Sequence, residues 1–136
     1  MTVERINAPT FALAKPSGFS HATRYRGIVH LAGQTALDAE GKIVEGGILA
    51  QFRQSLFNVL VALEAAGGQP SDLLSVTIYL TDIPDYQANG KEIGRIWRDL
   101  VGADYPAMAG IGVVALWQPE ALVEIQAVAA LTTHSD

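Results

Sequence analysis

The stretch from Gly47 to Gly68 constrains this chain more than any other. Ile48, Phe52, Leu56, Val59, Leu63 and Ala66 recur at steps of four, four, three, four and three, which is one stripe of an α-helix. Gly67 and Gly68 follow, as glycine does where a helix end must turn left-handed. Leu49, Phe57, Leu60 and Val61 widen the stripe, and Gln51, Arg53, Gln54 and Asn58 supply the polar remainder. A helix this apolar cannot stand in water on its own. It needs a sheet to cover it.

The flanking sequence offers one. Thr2 to Asn7 reads as a short edge strand, and Ala22 to Arg26 and Ile28 to Gly33 as two strands about a tight turn at Arg26-Gly27. After the long helix, Leu73 to Leu80 is a strand dense in β-branched and aromatic residues. Asp82-Ile-Pro-Asp85 opens a second helix, with Tyr86, Ile93, Ile96, Trp97 and Leu100 on one face. Met108 to Leu116 and Leu122 to Leu131 are two further strands, joined by a loop from Trp117 to Ala121. The order β-β-α-β-α-β-β implies an α+β fold, one sheet with both helices on the same face.

In the last strand Val123, Ile125, Ala127, Ala129 and Leu131 alternate toward the helices, while Glu124, Gln126, Val128 and Ala130 point away. The strand before it is apolar on both faces. One layer of helices cannot cover both faces, so the helix-free face is expected to meet another subunit in a homo-oligomer.

A chain of 136 residues with 49% hydrophobic and 17% charged residues is a single globular domain, with 132–136 expected as a flexible tail. It has no cysteine, so disulfides, thiolate catalysis and cysteine zinc sites are excluded. The net charge is −5 and the nine basic residues are scattered, which gives no footprint for nucleic acid. The longest apolar run, Ala107 to Trp117, is too short to span a bilayer, and the N-terminus carries no apolar signal segment. A soluble, cytoplasmic protein without membrane or nucleic-acid partners is expected. His21, His30 and His134 have no partners at metal-ligand spacing, so neither a metal nor another cofactor is expected.

From about Gly18 to Leu131 the chain resembles the RidA family, also called YjgF or the reactive-intermediate deaminase group. The residues that carry the resemblance are Gly18-Phe19-Ser20-His21-Ala22, Ala32-Gly33-Gln34, the helix set Gln51, Leu56, Asn58, Leu63 and Gly67, then Pro106-Ala107 and Val123-Glu124-Ile125 through Ala129. The resemblance implies a chorismate-mutase-like fold and a homotrimer with small-molecule clefts between subunits. It also implies hydrolysis of 2-imino or 2-enamino acids to 2-oxo acids and ammonia. By the same resemblance Glu124 activates or positions the attacking water, and Phe19, Gly33 and the residue at 108 line the pocket.

The family's carboxylate-clamping arginine is here Met108. A bidentate arginine–carboxylate pair contributes about 1.5–3 kcal/mol, so its loss weakens an imino acid on the order of ten- to a hundredfold. A neutral or more apolar small molecule suits Met108 and Phe19 better. Glu124, partly desolvated at a subunit seam, would serve as general acid or base; its bland alternatives are solvation or an ion pair with Arg24, Arg26 or a neighbouring subunit. His21 could shuttle protons, against the commoner outcome of a surface-loop histidine. Gly33 either admits a ligand to the backbone or marks a bulge. Two functions stand: a hydrolase or deaminase of imines and enamines, and a non-catalytic trimer binding a metabolite or partner. RNA cleavage, also attached to this family, is disfavoured by the acidic composition.

Overall fold

The apolar stripe of Gly47–Gly68 becomes helix α1, Gly47–Ala65, in a computed structural model that describes residues 2–131. The expected tail 132–136, with His134, lies outside the described residues. Phe52, Leu56, Val59 and Leu63 are each at most 1% exposed. The helix ends in a Schellman turn: Gly67, at φ +94°, donates its N–H to Glu64 O, and Gly68 donates to Leu63 O, both at 2.9 Å. The Arg24 guanidinium also donates to Ala66 O at this end, where a cation suits the helix dipole.

Beneath α1 lies one six-stranded sheet in the order β1-β2-β3-β6-β4-β5. The strands are β1 Glu4–Ile6, β2 Ala22–Tyr25, β3 Ile28–Gln34, β4 Leu73–Leu80, β5 Ala107–Gly112 and β6 Val123–Ala130. β2 and β3 form the expected hairpin, with Arg26 at φ 52° and Gly27 at φ 82° in its two-residue turn. β4 pairs parallel with β5, and the other pairings are antiparallel. Inserting β6 between β3 and β4 lets both α1 crossover strands run parallel while β6 supplies the closing ladder on each side.

Two elements differ from their sequence reading. The second helix is two, α2 Ile83–Ala88 and α3 Gly90–Leu100. Asn89 sits at the break, where its side-chain amide donates to Asp85 O at 2.9 Å and so satisfies the end of α2. The strand expected over 108–116 stops at Gly112, because β4 ends at Leu80 and the last bond available is Val113 N–H to Leu80 O, 2.9 Å. Val114, beyond it, is fully exposed.

Both α1 and α3 pack on one face of the sheet. Val29, Leu31, Val76, Ile78, Val123, Ile125, Ala127 and Ala129 join the buried residues of these helices in one core. The other face, carrying Ile28, His30, Thr77, Tyr79, Ile111 and Val128, has no helix over it among the described residues. No helix among the described residues is long and apolar enough to cross a membrane.

Candidate active site

Gln51 and Asn58, grouped above with the polar side of α1, are buried at 5% and 1% exposure. Each reaches a loop. Asn58 Nδ2 donates to Thr35 O (3.2 Å) and Leu37 O (2.8 Å), and its Oδ1 accepts from Gln54. Gln51 donates to Glu120 O and accepts from the Leu122 N–H, which fixes the loop leading into β6. Thr35 Oγ1 then donates to Gln118 Oε1 at 2.8 Å and ties the two loops together. Buried amides with every group engaged hold their partners in one geometry. Here they hold the rim of a cavity.

That cavity measures about 680 Å³, a size suited to a small metabolite, and opens beside the irregular pairing of β3 between Leu31 and Gln34. Glu124 on β6 and Gly33 on β3 form one wall, Phe19 and His21 another, and Trp117 the lip. The Glu124 carboxylate lies directly over the Gly33 Cα: a Cβ at residue 33 would stand 2.0 Å from Glu124 Oε2. Only glycine leaves that space open. Among the described residues the carboxylate has no hydrogen bond or ion pair, and burial pushes its carboxyl above the usual carboxylate range. The bland pairing with Arg24 or Arg26 does not form: Arg24 pairs with Glu4 at 2.8 Å, and Arg26 stacks over the Tyr25 ring.

His21 is not a surface-loop residue. It is 3% exposed, its Nδ1 accepts from the Ala8 N–H (3.0 Å), and its Nε2 lies 3.2 Å from Ala14 O as donor. Its backbone N–H donates to Asn7 Oδ1. These bonds require the neutral ring, and burial lowers its pKa in the same direction. Both nitrogens being engaged, His21 pins the 7–21 loop and leaves no free nitrogen to carry a proton. Phe19, 55% exposed, meets its ring edge-on at 6.2 Å.

Met108 does not join them. Its register partner on β4 is Val76, so it points to the helix-covered side at the sheet's edge, whereas Glu124 pairs with Tyr79 on the bare side. Four of the five residues singled out in the sequence thus share one cavity within a chain, and the fifth stands on the far side of β4. The sequence reading missed Lys15, Trp117 and the Thr35–Gln118 tie at the same cavity. The signal for the tie was present in Gln51 and Asn58, two amides on the flank of an apolar stripe.

With the geometry in place, three kinds of likeness bear on it. The family model described as endoribonuclease L-PSP matches residues 10–131. A RutC family protein of Pyrococcus horikoshii is 35% identical over 125 residues, covering 90% of this chain and 91% of that protein. A 2-iminobutanoate/2-iminopropanoate deaminase of Capra hircus is 31% identical over 137 residues, covering 98% and 96%. Among solved structures, YyfA of Yersinia pestis, a protein of unknown function in the conserved Rid family, superposes with a TM-score of 0.82 at 30% identity, covering 96% of this chain and 100% of that one. E. coli TdcF with bound serine gives a TM-score of 0.82 at 25% identity, over 95% and 100%.

Proposed function

Because the chain belongs to the RidA/YjgF family, which the endoribonuclease L-PSP model describes, we propose that its cavity hydrolyses a small imine or enamine with Glu124 handling the water. One observation carries this reading: a half-buried carboxylate with no partner of its own, laid against a glycine that leaves it room. Such a group can take a proton from water as the oxygen attacks the C=N carbon and the π-electrons move to nitrogen. It can then return that proton to the nitrogen and relay the proton of the new hydroxyl after it, so that the C–N bond breaks, the oxygen becomes the carbonyl and ammonia leaves. Burial helps both halves, since an ionised carboxylate with a raised pKa is a stronger base and its acid form persists nearer neutrality. Similarity to a 2-iminobutanoate/2-iminopropanoate deaminase along nearly the whole chain supports the reaction class.

The fold is read as chorismate-mutase-like and the assembly as a homotrimer, in which the bare faces of the sheets meet. The chain is placed in the cytoplasm. In the proposed trimer the clefts lie between subunits and β5 brings Met108 to them rather than an arginine, so short 2-imino acids are not the favoured substrates. The net charge of −5 argues against RNA, whatever the family model's description.

The test is turnover of small neutral and anionic imines generated in situ, with wild type compared to Glu124→Gln. The expected loss is on the order of a hundredfold, the usual worth of a positioned acid–base group. A second reading, a binding protein without catalysis, draws on the missing arginine at Met108. Wild-type rates no faster than spontaneous hydrolysis, for neutral and anionic imines alike, would establish it instead.

A further inference from the structure

Within a single chain the cavity has a cation of its own. Lys15, in the 7–21 loop, lines the same cavity as Glu124, Gly33 and Phe19, and is the one Lys or Arg among its described lining residues. It forms no ion pair among the described residues. Its place along the chain is set from both sides. Leu13 is 3% exposed in the core, Ala14 O accepts from His21, and Pro16 restricts the backbone of the residue before it to extended conformations. The side chain is exposed and mobile by nature, but its root is held. Lys15 also stands off from Glu124, with no contact between ammonium and carboxylate within 4.0 Å. A ligand spanning the two would place a hydrogen-bonding or reacting nitrogen near Glu124 and an anionic group at a distance from it.

We propose that Lys15 is the anion anchor of this cavity and holds the acid group of the imine or enamine whose nitrogen faces Glu124. This deepens the imine-hydrolase reading and rests on it for the reacting group, not for the anchor. It also accommodates a charged substrate without an arginine at position 108: the positive charge arrives from the N-terminal loop rather than from β5.

The anchor is tested by binding, which does not depend on turnover. Hydrolysis of such imines yields oxo acids, so three carbonyl probes are titrated by NMR: neutral butanone, 2-oxobutanoate and 4-oxopentanoate. Wild type is expected to bind 4-oxopentanoate about two- to fivefold more tightly than butanone, the scale of one exposed ion pair. The margin should shrink as salt is raised. Lys15→Gln should erase the preference and Lys15→Arg should keep it, the preference being read in each protein as the ratio of oxo-acid to butanone affinity. A preference that survives Lys15→Gln, or a wild type that does not distinguish the ketone from the oxo acid, would overturn the anchor. Tighter binding of 2-oxobutanoate than of 4-oxopentanoate, lost in Lys15→Gln, would uphold the anchor with the acid group beside the reacting carbon. Lys15-dependent binding in a protein that turns over no imine would uphold the anchor and reject the hydrolysis.

Discussion

On the helix-covered face of the sheet Val29, Leu31 and Ile125 are at most 1% exposed; on the bare face of the same sheet Ile28 and Ile111 stand 38% and 42% exposed. Both sets alternate along strands of one register, so local propensity does not separate them. What separates them is a partner. The covered side finds its partner within the chain, in α1 and α3, and closes there. The bare side carries Val128, Ile111 and Ile28 with nothing of its own to lay over them. The cavity lies where the two regimes meet: Asn58 reaches it from the closed side, and Glu124 projects into it from the open one. A self-sufficient layer fixes the rim, and an unsatisfied group is left free to act on whatever enters.

The contrast is broken or confirmed most forcefully by cutting each side once. Leu56→Ala removes a fully buried side chain from the closed layer and should lower unfolding free energy by about 3–5 kcal/mol. Urea denaturation reads this, at any protein concentration. Val128→Glu on the bare face should act through association instead. Sedimentation should show a smaller species than wild type, and the concentration dependence of Tm should disappear. Equal, concentration-independent losses from the two substitutions would mean that the bare face is finished within one chain and the comparison is wrong.

How much of this could be read from the residues follows the same divide. The α1 stripe and the alternation in β6 were legible because both are periodic and both periods are satisfied inside the chain. The apolar run after Pro106 was not: an unpaired apolar segment and a strand have the same pattern, and only the end of β4 at Leu80 decides that Val114 lies in solvent. Asn89 broke the second helix by a side-chain bond to Asp85 that spacing does not encode. At the site, Glu124 and Gly33 followed from motif and alternation. The resemblance puts Met108 in a cleft between subunits; within one chain its parallel pairing with Val76 turns it away from Glu124. His21 looked exposed because its loop is rich in turn formers; its burial comes from Ala8 and Ala14, far from any local rule.

Gly33 sharpens the contrast at its seam. In Gly33→Ala the new methyl carbon meets the free end of a flexible side chain rather than backbone, so Glu124 can swing away at little cost in stability. The expected change in unfolding free energy is within about 0.5 kcal/mol, as for substitutions away from packed or bonded groups. Turnover should fall by about ten- to a hundredfold, because a catalytic group displaced by an ångström or so loses most of its advantage. A large stability loss with activity intact would show that Gly33 serves packing and not the carboxylate.

The smallest effect sets buried His21 and half-buried Glu124 against each other in pH. His21, on the satisfied side, has its folded pKa lowered from 6.5 by burial. As pH falls through 6.5 the unfolded chain takes a proton that the folded chain refuses, so stability is lost toward acid, down to the folded pKa. Glu124, on the unsatisfied side, has its folded pKa raised from 4.5 by burial. As pH rises through 4.5 the unfolded chain releases a proton that the folded chain keeps, so stability is lost toward base, up to the folded pKa. Neither slope can exceed about 1.4 kcal/mol per pH unit, the limit for one proton. Urea midpoints across this range should show that Glu124→Gln removes the loss above pH 4.5 and keeps the one below 6.5. His21→Gln should do the reverse, on a lower baseline set by the Ala8 and Ala14 bonds. If Glu124→Gln left the profile unchanged, the carboxylate would be as well solvated in the folded protein as out of it. The distinction between a satisfied and an unsatisfied wall of the cavity would then be lost.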